Sequence, residues 1–273
     1  MNNLISKELA ARAADILARV RDKSPLVHHI TNYVVMNDTA NLTLALGALP
    51  VMAHAREEVA EMVGAAGALV LNPGTLSAEW VESMIIAGKR ANELGIPVIY
   101  DPVGVGATRY RNETGERFLR ELHVDVIRGN SGEVGSLSGA GGAVKGVESV
   151  EGVVDPAGAA RQFALRQACV VAITGKRDVI SDGRRTLGVD NGHAMMKTVT
   201  GTGCMATAMA AAFNAVEPDR LFATAAALAC YGLAGQMAAR RSRGPGSFRA
   251  ALLDALYNLK AAQVRAGAKI IEL

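Results

Sequence analysis

Short runs of hydrophobic residues alternate along the chain with longer segments in which hydrophobic residues recur every three or four positions. The short runs predict strands, and the last four are short, largely β-branched and bounded by turn residues, which is typical of strands buried in a parallel sheet. The six runs cover residues 26–30, 49–52, 68–71, 97–100, 124–127 and 169–173. Strands that alternate with helices in this way predict an α/β fold with a doubly wound, mostly parallel central sheet flanked by helices.

The segments between the runs predict helices with recognisable ends. Helical patterns cover residues 77–95, 112–123 and 155–168. Side chains suited to N-caps, and a glycine suited to a C-terminal stop, mark their boundaries. These residues are Ser77, Asn112 and Asp155 at the starts and Gly95 at an end.

Two stretches interrupt this alternation. Residues 139–152 are glycine-rich and predict an excursion on the surface, and residues 177–198 predict an antiparallel hairpin pair at the sheet edge. After Thr200 the pattern predicts three helices before the terminal residues 269–273. Since the chain has neither a fixed-period repeat nor a linker of different composition, we expect one domain over residues 1–273.

The amino-acid composition supports this fold class and argues against nucleic acid or a membrane as a binding partner. Half of the 273 residues are hydrophobic, 20% are charged and 4% are aromatic, so the chain can bury a sizeable core and is not disordered as a whole. The formal net charge of +3 is spread along the chain and does not point to nucleic acid or to an anionic membrane. The uncharged segment 221–239 is rich in Ala and Gly, which favours a buried helix over a membrane span. Three cysteines without metal-ligand spacing, and no signal-peptide pattern, favour a cytoplasmic location.

Glycine and polar residues follow the predicted strands where ligands bind in open α/β sheets, beyond the carboxyl ends of the strands. Five such exits on one edge predict a binding site, although each alone would more often be an ordinary turn. The exits are Asn72-Pro-Gly, Asp101-Pro-Val-Gly, Arg128-Gly-Asn-Ser-Gly-Glu133, Thr174-Gly-Lys and, after MMKTV, Thr200-Gly-Thr-Gly-Cys204.

The turn at residues 200–204 is the strongest of these signals because it leads directly into an Ala-rich helix. Glycines let main-chain N–H groups face an anion, and a helix N-terminus adds partial positive charge, so we predict a phosphate or oxyanion cradle. Cys204 falls in the first helical turn, where the pKa of a thiol is lowered, and it can accept a proton or act as a nucleophile. The alternative is that Cys204 is a small packing residue under a tight turn.

Two carboxylates and an arginine at neighbouring exits predict a metal and phosphate site. Asp101 and Glu133 suit Mg²⁺, which binds through one or two carboxylates and water, and Arg128 suits bidentate contact with phosphate. Taken singly, Asp101 could equally be a turn former and Glu133 a charge that complements a helix dipole. His28 and His29 are adjacent on a strand and point to opposite faces, so we expect one in the core and one in the pocket or at the surface.

Together these motifs resemble the ribokinase-like superfamily, in which a Gly-x-Gly-Asp turn usually supplies a catalytic Asp. Cys204 stands in its place here. With HITNY at 29–33, PVMAH at 50–54 and LNPG at 71–74, the pattern resembles the hydroxyethylthiazole kinase family of thiamine salvage over residues 25–269. The resemblance implies ATP-dependent phosphorylation of the alcohol of 4-methyl-5-(2-hydroxyethyl)thiazole, with Mg²⁺, by a homotrimer with sites at subunit interfaces.

The resemblance also implies a role for individual residues. Met52, Gly201 and Asn32 would bind the thiazole alcohol, and Arg128 and Thr174 would bind ATP. Asp101 and Glu133 would organise Mg²⁺ and the phosphates, and Cys204 would lie beside the alcohol. The change from Asp to Cys weakens the catalytic base, so the cradle and the metal would supply most of the catalysis.

Three alternatives to this function remain open from the residues. The same fold could carry an ATP-dependent dehydratase for hydrated nicotinamide nucleotides, or a kinase for another small alcohol. The third alternative is not an enzyme but a non-catalytic nucleotide-binding subunit. A nicotinamide oxidoreductase is disfavoured because the loose dinucleotide fingerprint at residues 201–206 lies late in the chain without a matching acidic residue. The chain also lacks a Walker-type phosphate loop.

Overall fold

A sheet of nine strands forms the centre of the part of the chain described by the computed structural model, namely residues 2–140, 143–145, 148–151 and 153–273. Two further strands pair separately with each other. The strands are β1 (Leu26–Ile30), β2 (Leu49–Val51), β3 (Ala68–Leu71), β4 (Val98–Tyr100), β5 (Val126–Asn130), β6 (Ala143–Lys145), β7 (Glu148–Glu151), β8 (Val170–Thr174), β9 (Asp178–Ser181), β10 (Thr186–Val189) and β11 (Ile270–Glu272).

The order across the large sheet is β11-β10-β9-β8-β5-β4-β3-β1-β2. The six strands from β8 to β2 run parallel to one another, and β9, β10 and β11 are antiparallel at the other side. This confirms the predicted mostly parallel sheet. The predicted hairpin exists as β9 and β10, but β11 rather than the hairpin forms the edge of the sheet.

Helices cover both faces of the sheet. They are α1 (Asn2–Lys23), α2 (Met36–Leu46), α3 (Val59–Gly64), α4 (Ala78–Leu94), α5 (Arg109–Glu121), α6 (Ser131–Ser138), α7 (Pro156–Gln167), α8 (Thr202–Asn214), α9 (Arg220–Ala239), α10 (Pro245–Tyr257) and α11 (Ala261–Gly267). A short 3-10 helix, Ala194–Thr198, precedes α8.

Three of the four predicted helix boundaries are confirmed by their hydrogen bonds or backbone angles. The Ser77 side chain accepts from the N–H of Trp80, Asp155 caps α7, and Gly95 ends α4 in a left-handed conformation. Asn112 as an N-cap is wrong, because α5 begins three residues earlier. Thr108 caps it instead, through a hydrogen bond from the N–H of Arg111.

The core lies in two layers because successive residues of a strand point to opposite faces. In β3, Ala68 and Val70 pack beneath α1, α2 and α8–α11, whereas Leu69 and Leu71 pack beneath α3–α7. The first layer is built largely from alanine, which lets α8 and α9 approach closely. Within that layer, α1 packs against α9 and α11.

The C-terminal third differs from the prediction in three ways. Within residues 200–273, all of which the structure describes, four helices rather than three follow Thr200, and the terminal residues form β11. MMKTV is a 3-10 helix rather than a strand, so the turn at residues 200–204 is not a strand exit. Helix α9 is long and apolar enough to span a membrane by length and composition, but it is mostly buried inside the protein, as a core helix is.

The glycine-rich segment 139–152 was predicted as a surface excursion. Two antiparallel strands, β6 and β7, lie within it. Residues 141–142, 146–147 and 152 fall outside the described residues, so that part of the prediction stays a prediction.

Candidate active site

Polar side chains meet at the carboxyl ends of the parallel strands, at the edge where the sequence predicts the site. Asn32 follows β1, Asn72 follows β3 and Asp101 follows β4, and all three are buried. The Asn32 amide donates to Asn72 Oδ1 at 2.9 Å, and the Asn72 amide donates to Asp101 Oδ2 at 3.1 Å. Thr207, on α8, donates its hydroxyl to the same Asp101 oxygen at 2.8 Å. This network fixes one carboxylate oxygen between three strand ends and a helix.

Arg128, which the resemblance assigns to ATP, lies close to the same Asp101 carboxylate. It lies within β5 rather than after it, and its side chain is buried. One guanidinium nitrogen lies 3.7 Å from Asp101 Oδ1, and another donates to Thr174 Oγ1 at 2.5 Å. A Cβ added at Gly203 would lie 3.0 Å from the guanidinium, so the turn before α8 passes close to this cation.

The turn that begins α8 has the geometry of the predicted anion cradle. Gly201 adopts a φ of +82°, and a Cβ there would lie 2.7 Å from Val35 Cγ1, so only glycine fits without strain. The Thr202 hydroxyl donates to the carbonyl of Met196 at 2.7 Å, which holds the turn against the preceding 3-10 helix. The first N–H groups of a 13-residue helix therefore follow directly after a glycine turn and beside Arg128.

Cys204 is positioned as predicted, but its thiol is not activated. It is half-buried in the first turn of α8, and its sulfur lies 3.7 Å from the Asn32 amide nitrogen. Burial, with a smaller contribution from the negative charge of Asp101, raises the pKa of the Cys204 thiol to about 12. The predicted lowering of this pKa is therefore wrong, because burial and the nearby carboxylate both disfavour the thiolate.

Glu133 is a second buried carboxylate in the site, and it forms a capping box with Asn130 at the N-terminus of α6. Its two oxygens accept from the N–H groups of Gly104 and Asn130, each at 2.9 Å, and the Asn130 side chain caps the N–H of Glu133 in return. Burial, and then the charge of Asp101, raises the pKa of Glu133 to about 7. Burial also raises the pKa of Asp101.

These two carboxylates fit a cation shared with phosphate. Asp101 Oδ1 is buried and has no hydrogen-bond partner among the described residues, and the negative charges of Asp101 and Glu133 disfavour each other. No group of three or more His, Cys, Asp or Glu side chains in the described part of the chain is placed to hold a metal alone. A site with two carboxylates leaves the remaining positions to water and phosphate oxygens, as Mg²⁺ requires.

An aromatic cluster lies beside the segment that follows β1. Trp80 stacks on His54, with ring centroids 4.4 Å apart and planes at 21°, and it contacts Tyr33 at the same distance with planes at 43°. The N–H of Thr31 donates to the His54 ring at 3.4 Å. Met52 directly follows the edge strand β2, and its main chain forms a hydrogen bond with the His54 side chain of this cluster.

The two adjacent histidines do not reach the site or the surface. Both are fully buried: His28 bonds the carbonyl of Ala53 at 2.8 Å, and His29 lies 3.5 Å from the Thr43 hydroxyl. Burial lowers the pKa of both, and that of His29 to about 3. The expectation that one would face the pocket or the surface is wrong, because helices cover both faces of β1.

A cavity of about 390 Å³ adjoins the exit of β8. It is lined on one side by residues after that strand and on the other by the N-terminal ends of α6 and α7; the lining includes Ser131, Pro156, Thr174, Gly175, Lys176 and Arg177. The cavity therefore begins at Thr174, whose hydroxyl accepts a hydrogen bond from Arg128.

Two residues of the site were missed by the sequence analysis. Thr207 lies three residues after Cys204 and therefore on the same face of α8, a spacing that could have identified it. Trp80 meets His54 and Tyr33 only through the tertiary fold, so no local pattern marks it.

Comparisons with known proteins agree with this geometry. The model of the hydroxyethylthiazole kinase family matches residues 17–262. A hydroxyethylthiazole kinase of Desulforudis audaxviator is 65% identical over 266 residues, covering 97% of both chains, and one of Chloroflexus aggregans is 62% identical, covering 96% of this chain and 94% of that one. The solved structure of the Pyrococcus horikoshii OT3 hydroxyethylthiazole kinase protein superposes with a TM-score of 0.88 at 45% identity, covering 96% of this chain and 98% of that one. A ribokinase-like superfamily protein from Enterococcus faecalis, 16% identical with a TM-score of 0.65, covers 91% of this chain and 95% of that one and shows the shared fold.

Proposed function

The chain belongs to the hydroxyethylthiazole kinase family of phosphotransferases, and on that premise we propose how it transfers the γ-phosphoryl group of ATP to the hydroxyl of 4-methyl-5-(2-hydroxyethyl)thiazole. One observation carries the proposal. The glycine turn that begins α8 passes within contact distance of the buried Arg128, while Cys204 in the same turn adjoins the Asn32–Asn72–Asp101 network. A phosphate cradle and a pocket for a small alcohol thus share one turn.

The two substrates approach this turn from opposite sides. ATP occupies the side of β5 and β8, where Arg128 and Thr174 contact its phosphates and the cavity beyond Thr174 accepts the rest of the nucleotide. The thiazole alcohol occupies the side of β1 and β2, where Asn32, Met52 and Gly201 line its pocket. Because phosphoryl transfer depends mainly on positioning and charge stabilisation, two substrates held on either side of one cradle are the central requirement.

Asp101 and Glu133 organise Mg²⁺ in this proposal. Two observations support this assignment: Asp101 Oδ1 accepts no hydrogen bond from the described residues, and the two carboxylates repel each other. Mg²⁺ held by these two carboxylates would neutralise charge on the phosphates. Glu133 also holds the loop after β4, because it accepts a hydrogen bond from the N–H of Gly104.

Cys204 acts as a neutral thiol rather than as a thiolate base. Its raised pKa leaves it protonated at neutral pH, because burial and the negative charge of Asp101 both disfavour the thiolate. In a loose transition state the alcohol loses its proton only late in the reaction, so transfer does not require a thiolate at this position. The cradle and Arg128 then supply most of the stabilisation of the transferred group.

A homotrimer in the cytoplasm, serving thiamine biosynthesis, completes the proposal. Exposed apolar side chains support self-association beside the alcohol pocket: Tyr33 and Val34 are 65% and 61% exposed, and Leu44 and Leu49 are also exposed. They lie on α2, the edge strand β2 and the segment joining β1 to α2, next to Asn32. A surface of this kind is typical of a protein interface.

The test is direct. Purified protein is incubated with ATP, Mg²⁺ and the thiazole alcohol, and the thiazole phosphate is followed by mass spectrometry. We expect product that disappears on chelation of Mg²⁺ and in the Arg128→Gln variant, and that persists in the Arg109→Gln control, whose side chain is exposed on α5. Absence of thiazole phosphate at saturating substrates would refute the proposal. Tight ATP binding without turnover of any small alcohol would favour a non-catalytic subunit, and recovery of NADH from its hydrate would favour the dehydratase.

A further inference from the structure

The guanidinium of Arg111 ties two of the loops that build the site to each other. Arg111 lies in the first turn of α5, outside the polar network described above. One of its terminal nitrogens donates to the carbonyl of Val103 at 2.8 Å and to that of Pro73 at 3.2 Å. The other donates to the carbonyl of Gly74 at 2.8 Å. A single planar cation thus holds the loop after β3 and the loop after β4.

The loop after β3 leads from Arg111 to the substrate side of the site. The N–H of Gly74 donates to Asn72 Oδ1 at 3.1 Å, and the same oxygen accepts from Asn32. A Cβ added at Gly74 would lie 2.7 Å from the Asn32 amide nitrogen. A shift of Gly74 therefore moves the two amides that adjoin Cys204.

The loop after β4 connects Arg111 to Glu133, one of the two carboxylates assigned to Mg²⁺. Gly104 adopts a φ of +75°, and a Cβ there would lie 3.1 Å from the Arg111 side chain, so the loop and the guanidinium are in close contact. The N–H of Gly104 donates to Glu133 Oε1. A shift of this loop therefore removes a hydrogen bond from the carboxylate assigned to Mg²⁺.

Another arginine on the same helix provides the contrast. Arg117 is also half-buried, but it forms ion pairs with Glu82 and Glu121, which is typical of a stabilising surface network. The bonds of Arg111 described above end on three main-chain carbonyls in two different loops. A fixed fork of donors can satisfy three carbonyls at once, whereas the compact ammonium of lysine cannot hold the same geometry.

We propose that Arg111 is a positioning residue for catalysis. By holding the loops after β3 and β4 together, it fixes the position of Asn72 and Asn32 on the substrate side relative to Glu133 on the metal side. The inference rests on the proposed kinase function. It predicts that Arg111 acts on turnover and on the response to Mg²⁺, and that the shape of the guanidinium matters as well as its charge.

The test compares Arg111→Lys and Arg111→Ala with the matched controls Arg117→Lys and Arg117→Ala. We expect both Arg111 variants to lower kcat by about 10- to 100-fold while the KM for the alcohol and for ATP changes by less than about 3-fold. The Mg²⁺ concentration for half-maximal activity should rise by about 5-fold, because Glu133 loses the N–H of Gly104. The Arg117 variants should stay within about 2-fold of the wild type in both quantities.

Chemical rescue separates positioning from folding. Ethylguanidinium at millimolar concentration should restore at least about a tenth of the lost activity of Arg111→Ala, and ethylammonium should not, because only the former offers planar paired donors. The proposal is overturned if Arg111→Lys matches the wild type in kcat and in Mg²⁺ response. It is also overturned if Arg111→Ala loses activity only in step with its melting temperature and neither compound restores it.

A measurement without turnover keeps this inference separate from the proposed function. Calorimetry of ATP binding at several Mg²⁺ concentrations should show a higher Mg²⁺ requirement in Arg111→Lys than in Arg117→Lys. If the wild type forms no thiazole phosphate, the kinase proposal fails, and the binding result still decides the role of Arg111: equal Mg²⁺ requirements in the two variants would exclude it.

Discussion

Replacing Cys204 by serine distinguishes a neutral thiol from a thiolate base. With its pKa raised to about 12, only about one Cys204 in 10⁴ is ionised at pH 8. A thiol with an ordinary pKa of about 8.5 would be about one quarter ionised, so the structure predicts a suppression of about 10³-fold. Loss of a working general base typically costs about 10²- to 10⁴-fold in rate. Exchange of one neutral hydrogen-bonding group for another should lower kcat of Cys204→Ser by less than about 10-fold.

Two assays measure these quantities independently. The first is kcat of the wild type and of Cys204→Ser between pH 7 and pH 9, where a thiolate base would give the wild type a rising limb that the variant lacks. The second is alkylation by iodoacetamide, followed at each cysteine by peptide mass spectrometry. Burial raises the pKa of Cys169 and Cys230 to about 12 as well, so all three cysteines should react slowly until the protein unfolds.

The refuting result is a loss of more than about 100-fold in Cys204→Ser together with rapid alkylation of Cys204 in the folded protein. Cys204→Asp provides a further test of the thiol. This variant keeps the main chain of the cradle and supplies a carboxylate where the superfamily usually has one. Kinase activity should survive in that variant. If the variant folds and is inactive, the thiol has a role beyond that of a neutral hydrogen-bonding group.

Three further predictions concern other parts of the site. Folded Glu133 keeps a proton that the unfolded chain has lost, so between about pH 4.5 and 7 this residue contributes a fall of about 3 kcal/mol to the free energy of unfolding as the pH rises. Glu133→Gln should remove that contribution, and the same pH dependence of the free energy of unfolding in denaturant titrations of both proteins would contradict this. Gly201→Ala should lower kcat by more than about 10-fold, since its Cβ meets Val35 at a positive φ, whereas Gly246→Ala, in open space, should leave kcat unchanged; similar rates would show that the turn tolerates a side chain. Trp80→Leu should raise the KM for the thiazole alcohol by about 5-fold and leave that for ATP unchanged, and the reverse pattern would place the aromatic cluster on the nucleotide side.

The strands and the positions of the site residues were largely predictable because both follow from short local patterns. Buried parallel strands appear as apolar runs, and ligands bind at their carboxyl ends, so the sequence alone associates Asp101 with Arg128. Helix ends were less certain. Both Asn112 and Thr108 have side chains that can cap a helix. Only the fold shows that Thr108 accepts the hydrogen bond from the first turn of α5.

Properties that depend on the distant surroundings of a residue were not predictable. The position of Cys204 at a helix N-terminus argues for a low pKa, whereas its burial beside Asp101 produces the opposite shift. The alternation of a strand separates His28 from His29, but only the helices on both faces of β1 bury the two of them. Local sequence gives the type of group and its direction, while the tertiary fold sets its solvation and its neighbours.

The contact of α1 with α9 and α11 has a consequence for biosynthesis. The apolar face of α1 is completed by helices that end at Ala239 and Gly267, so more than two hundred residues must be translated after α1 before its partners exist. Helix α1 is therefore among the last helices to dock, and its hydrophobic side chains stay available to chaperones until α9 and α11 have been made. A ribosome stalled before α9 should carry a nascent chain in which α1 is sensitive to protease, even though all six parallel strands have already been made.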